Sequence, residues 1–195
     1  MPAQPEQALA EHCAPVLLGK KAANLFSHCC QPQDIDNCIK ELCQPGLLVE
    51  HMRTGPARGL CLLYRYRLLR SALANPKARQ TLAGLGYPVH CGVEAQLGFL
   101  KARIAASADF PHEIGFFLGY PPDDVVGFIQ NKGQCCKFYG IWKVYGSEAH
   151  AQTLFTEYEK CKQKLLCHLQ NGGSIRHLCG QRQLAGAVNN FQEAG

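Results

Sequence analysis

Leu47–Arg67 reads LLVEHMRTGPARGLCLLYRYR. Two runs rich in branched and apolar residues, Leu47 to Arg53 and Gly59 to Arg67, flank Thr54-Gly55-Pro56. Short apolar runs separated by glycine and proline are the pattern of a β-hairpin. Working outward, Asn24-Leu25-Phe26-Ser27-His28 reads as an earlier strand. Between them, from Pro32, the residues Ile35, Cys38, Ile39, Leu42 and Cys43 recur at helical spacing, and Pro45-Gly46 ends the run. Glu6 to His12 predicts a short helix at the start of the chain.

Downstream, Asn75-Pro76 opens a helix through Leu85, and Val93, Leu97, Leu100 and Ile104 form the stripe of another. Glu113 to Leu118 reads as a helical turn. Pro121-Pro122-Asp123-Asp124 is a helix start with Val125, Phe128 and Ile129 facing inward, and Asn131-Lys132-Gly133 is its end. Lys137 to Tyr145 predicts a strand, and Ser147-Glu148 starts a long helix with Ala151, Leu154, Phe155, Tyr158, Cys161 and Leu165 on one face. Gly172-Gly173 ends it. The βαββαβ order of a ferredoxin-like sheet is the closest simple template. The expectation is one α+β domain over residues 1–172, a small, mostly antiparallel sheet with helices on one face, and a mobile C-terminal tail over 173–195.

The chain has 195 residues, 47% of them hydrophobic and 18% charged, which suits one folded domain with a real core. No apolar run approaches the ~20 residues that cross a bilayer. The N-terminal MPAQPEQALAEHCAP lacks the basic start and apolar core of a signal peptide. The expectation is a cytoplasmic protein with no membrane partner. Its 12 cysteines should then be mostly thiols, as their places on apolar stripes (Cys38, Cys43, Cys161) suggest. No C-x-x-C occurs, so zinc-ribbon, thioredoxin-like and simple iron–sulfur signatures are absent. The net charge of +5 suits docking to an acidic protein. The basic residues are dispersed, which disfavours nucleic acid as a partner. Tyr64-Arg65-Tyr66-Arg67 with Arg70 interleaves aromatics and arginines, and reads as a solvated strand end.

Candidate chemistry concentrates in Phe110–Gly146, FPHEIGFFLGYPPDDVVGFIQNKGQCCKFYGIWKVYG. Its polar groups lie among aromatics and tight turns, as in many binding sites. His112 at a helix start can ligate a metal or haem iron or act as a general base, with Glu113 orienting it or sharing the metal. Capping and the helix dipole explain the same pair without function. Lys143 and Tyr145 alternate onto one side of the expected strand, with Trp142 opposite, and could grip a carboxylate, a phosphate or a porphyrin propionate. Tyr120 completes the ligand-binding set. Asp123-Asp124 are neighbours that diverge on a helix, so they read as capping acids rather than paired carboxylates. Cys13 precedes Ala14-Pro15; if Pro15 begins a second helix, the thiol sits at a positive helix end beside Lys20 and Lys21. Cys13 with His112 is then the outline of a thiol hydrolase or transferase, while a buried structural thiol is the plainer reading.

HCAPVLLGKKAANLF near the start, with FPHEIGFFLGYPPDDVVGFI and KFYGIWKVYG in the second half, resembles domain-of-unknown-function family 3793. These are proteins of about this length from anaerobic, mostly gut-associated bacteria. The resemblance covers roughly residues 6 to 170 and carries no catalytic assignment. Genes of that family lie near flavodoxin or ferrous-iron-uptake genes, so the resemblance implies an iron- or redox-linked role. A small molecule, a metal ion or haem would be the ligand, and a flavodoxin-like acidic protein the partner.

Overall fold

The strand Gly59–Arg65 (β3) hydrogen-bonds on both of its edges. Ala23–His28 (β1) and Leu47–Arg53 (β2) flank it, both antiparallel, in the order β1-β3-β2. The computed structural model describes residues 5–55, 58–106 and 109–178. Pro56, part of the expected hairpin turn, lies outside the described residues, as do 179–195 of the expected tail.

Helices cover both faces of this sheet, not one. The sequence of β3 explains why. Cys61 and Leu63 point to one side, Leu60, Leu62 and Tyr64 to the other, and residues 61–64 are all buried. A continuous apolar run of this kind marks a strand buried on two faces. On the Cys61 side lie Pro5–Leu17 (α1), Pro32–Glu41 (α2) and Glu148–Gln170 (α8), with Leu9, Cys13, Ile35 and Leu165 fully buried. On the Leu62 side lie Tyr66–Ala74 (α3), Pro76–Gly84 (α4), Val93–Ala106 (α5), Ile114–Phe117 (α6) and Pro122–Gln130 (α7), around Leu69, Leu82, Leu100 and Phe117. The class is therefore α+β, with the sheet as the middle layer. Ile175 is fully buried in the first core, and its N–H donates to Glu6 Oε1 at 2.7 Å.

Three expectations change. First, the expected strand over 137–145 is a minimal ribbon, Phe138–Tyr139 (β4) against Lys143–Val144 (β5), and Trp142 sits in its turn. The ribbon forms its own sheet, so the fourth strand of a ferredoxin-like order is not supplied by it. Second, β3 ends at Arg65 and α3 starts at Tyr66. The arginine at the boundary is not solvated: its Nε and Nη2 donate to the carbonyls of Val16 and Leu17, each at 2.6 Å. These are carbonyls at the end of α1, and that of Val16 also accepts from the Gly19 N–H at 3.0 Å. Third, α1 runs unbroken through Pro15. The N–H missing at Pro15 leaves the carbonyl of Glu11 without its helical partner, and Glu11 is exposed to water there.

The ribbon is held against α7 by one carboxylate. Asp124, only 2% exposed, accepts from Trp142 Nε1 (2.7 Å) through Oδ2, and from the backbone N–H groups of Tyr145 (2.8 Å) and Gly146 (2.7 Å) through Oδ1. Gly127 makes the close approach feasible, because a Cβ there would overlap the Cβ and ring of Tyr145. Alanine normally stabilises a helix interior relative to glycine by about 1 kcal/mol. Here the overlap reverses the sign, and Gly127→Ala is expected to cost about 1–3 kcal/mol in a urea titration. A neutral or stabilising result would mean that the ribbon does not pack this closely on the helix.

Candidate functional site

The sheet brings together three side chains that the sequence scatters. His28 closes β1, His51 lies in β2, and Cys61 lies between them in β3. His51 is the register partner of Cys61, and His28 is the partner of Gly59, two residues along. Because residue 59 has no side chain, the His28 ring can lie over it; a Cβ would stand 2.6 Å from Nε2. The ring therefore reaches across to Cys61. His28 Nε2 lies 3.0 Å from Cys61 Sγ, and His51 Nδ1 lies 3.1 Å from the same sulfur. The three ligand atoms all fall within 4.8 Å of one another.

The remaining ring nitrogens have partners that fix which atom carries the proton. His28 Nδ1 is 3.0 Å from the carbonyl of Cys30, and His51 Nε2 is 2.8 Å from Asp36 Oδ1. Both partners accept hydrogen bonds only. An imidazole that donates outward to such a partner turns its other nitrogen's lone pair toward the sulfur when that nitrogen carries no proton. Two lone pairs and one thiol then converge with a single proton among them, and the proton can serve only one ring. A cation at the centre satisfies all three. Carbonyl and carboxylate partners behind ligating histidines are the usual outer shell of a metal site.

Cys61 is fully buried, and burial, reinforced by the nearby Asp36 and Glu50 carboxylates, pushes its thiol up to about 12. Cys61, His51 and Asp36 have the connectivity of a thiol-enzyme triad. A sulfur with no exposed surface and a raised pKa is the reverse of an activated nucleophile. Beside the histidines a polar cavity of about 60 Å3 opens between Cys30, Arg53, Thr54 and Arg58. It has room for water or a small exogenous ligand.

Cys13 and His112 do not form a pair. Cys13 lies inside α1 in the first core, fully buried. Burial drives its thiol far up, and the Lys21 ammonium offsets only part of this. Lys21 is itself 5% exposed, with its Nζ 4.9 and 5.4 Å from the ring centroids of Tyr120 and Tyr158, and burial lowers its pKa to about 8. His112 is exposed and packs edge-on against Phe128, 4.9 Å between centroids. Glu113 cannot share a metal with it. The Glu113 carboxylate is buried, 2.6 Å from Arg103 Nε, and accepts from the Tyr87 hydroxyl at 2.9 Å.

The rest of the 110–146 set partly converges. Phe110, His112, Tyr120, Phe128, Trp142 and Lys143 line one cavity of about 280 Å3. Among the described residues of its wall Tyr145 does not appear; its ring stands edge-on to Phe128, 6.4 Å between centroids, and its hydroxyl donates to the carbonyl of Gln134 at 2.9 Å. The cavity lies at the lower edge of small-molecule sites, about 300 Å3 and upward. Asp124 borders it with both oxygens already engaged.

The sequence signal for the His28–His51–Cys61 cluster was weak, since its members stand 23 and 10 residues apart and match no metal-ligand spacing. The one legible hint was a histidine or cysteine in each of three expected strands. No described helix is long and apolar enough to cross a membrane. No curated protein and no solved structure matches the chain. A family model does match residues 9–179, from within α1 to beyond α8, taking in the histidine–cysteine cluster and the cavity alike. The chain therefore belongs to the family of proteins of unknown function DUF3793.

Proposed function

We propose that the protein binds a transition-metal ion through His28 Nε2, His51 Nδ1 and Cys61 Sγ. The observation that carries this reading is the convergence of His28 Nε2 and His51 Nδ1 on Cys61 Sγ, each histidine being oriented from behind. Two imidazoles and a thiolate suit zinc or copper. With Zn–N near ~2.1 Å and Zn–S near ~2.3 Å, tetrahedral ligands stand roughly 3.5 Å apart. The present 3.0 and 3.1 Å separations would widen by about half an ångström on loading. Three protein ligands beside a small polar cavity leave a fourth position for water or an exchangeable ligand, as in catalytic rather than structural zinc sites. Ferrous iron, which an iron-linked role would call for, holds to such donors less tightly than zinc or copper. A second reading, favoured by the apolar cavity that the 110–146 segment lines, is that this segment holds a small molecule.

Protein purified without oxygen is expected to carry about one equivalent of metal. Cobalt added to the stripped protein should produce a thiolate-to-metal absorption band. Cys61→Ser should remove the band, and His51→Ala should weaken binding by roughly a hundredfold, while Asp36→Asn weakens it about tenfold through the His51 ring. A band that survives Cys61→Ser would put the metal elsewhere and overturn the reading.

Two pH dependences follow from the raised thiol. At neutral pH Cys61 is protonated, so loading releases a proton, and zinc affinity should rise about tenfold per pH unit in a competition titration. In the metal-free protein the folded thiol, near 12, lies above its ordinary value of 9.0. Its contribution to stability is present below pH 9.0 and is lost as pH rises toward about 12. Urea midpoints measured from pH 8 upward should fall less steeply for Cys61→Ala than for the native chain.

A further inference from the structure

The cavity in the 110–146 segment has walls of one chemical kind and a rim of another. Trp142 is stacked on Tyr120, 4.5 Å between centroids at 24°, and braced edge-on by Phe155 at 4.4 Å. Its indole N–H is tied to Asp124. This aromatic wall is therefore held before any ligand arrives, which limits the ordering cost of binding. Phe110 and Tyr139, also in the lining, are 41% and 71% exposed. Large apolar groups left in water around a cavity mark a binding site more often than a bare surface.

The charge at the rim has one sign. Among the described residues the only acid in the lining is Asp124, whose two oxygens already accept three N–H donors. Among them the only full cation is Lys143. Its Nζ gives one hydrogen bond to the carbonyl of Gly133 at 2.7 Å and lies 5.9 Å from the Phe128 centroid, so the ammonium is held beside the apolar wall. An ammonium has three donors, and two remain. His112, edge-on to Phe128 at 4.9 Å between centroids, adds an imidazole to the lining. Flat apolar walls and a fixed cation together select a planar molecule carrying one negative group.

We propose that this cavity binds a small planar aromatic anion, its rings against Tyr120, Trp142 and Phe128 and its carboxylate or sulfonate on Lys143 Nζ. This rests on the reading of the 110–146 cavity as a small-molecule site and is independent of the metal cluster, none of whose residues lines it.

Trp142 is the only tryptophan of the chain, so all energy transfer from tryptophan starts beside this cavity, and the Lys143 variants place the probe within it. The test uses two probes that share a skeleton, anilinonaphthalene sulfonate and the uncharged phenylnaphthylamine, on the full-length protein. The sulfonate is expected to bind with energy transfer from Trp142. Lys143→Gln should weaken it about tenfold, the worth of one charge-assisted contact, and change phenylnaphthylamine less than twofold. Lys143→Arg, which keeps the charge, should hold the affinity of both and serves as the control for folding. Equal binding of the two probes, or equal loss of both in Lys143→Gln, would overturn the anion selectivity and leave an apolar small-molecule cavity. Absence of energy transfer with either probe would overturn the cavity reading as well.

Discussion

Strand β3 is the constraint on which the rest of the structure depends. Its residues 60–64 pair on both edges, and the strand sends alternate side chains into separate cores. Because the side-chain period is two, its register fixes both faces together. Cys61 must face α1 and α2 if Leu62 is to face α4 and α5. The same register sets His51 directly across from Cys61 and brings His28 within reach. The geometry of the histidine–cysteine cluster is thus inseparable from the packing of the two hydrophobic layers.

Much of the fold was legible where local signals agreed with tertiary ones. α2, α4, α7 and α8 start at proline, asparagine or serine and carry apolar stripes, and they lie close to where spacing put them. The two-sided sheet was not legible as such, although Gly-Leu-Cys-Leu-Leu-Tyr-Arg lacks the polar alternation of a half-exposed strand. α3 was hidden because Tyr66 and Arg67 continue the composition of β3; only Leu69 and Leu73, one turn apart and both buried, betray it. The ribbon over 138–144 was overread, since β-prone residues there serve a turn pinned by Asp124 rather than a ladder.

The candidate sites divide along the same line. Local density of unusual residues pointed to 110–146, and His112, Tyr120, Trp142 and Lys143 line one cavity there, brought together by elements close in sequence. Glu113 and Cys13 could not be assigned that way. Their environments come from Arg103, Tyr87 and the helices packed on α1, all set by the tertiary fold. His28, His51 and Cys61 meet through strand pairing, which no spacing within a single segment announces.

Gly59 carries a consequence for how this protein can vary. The His28 ring occupies the volume that any larger residue at position 59 would need. The two positions are therefore coupled in descent. A lineage that keeps histidine at 28 is held to glycine at 59 whatever happens to the surrounding loop. One that loses the histidine releases 59 to the side chains ordinary in a strand. Among relatives, glycine at 59 should track histidine at 28 more closely than it tracks overall similarity. Such paired retention would separate members that preserve the cluster from those that preserve only the fold.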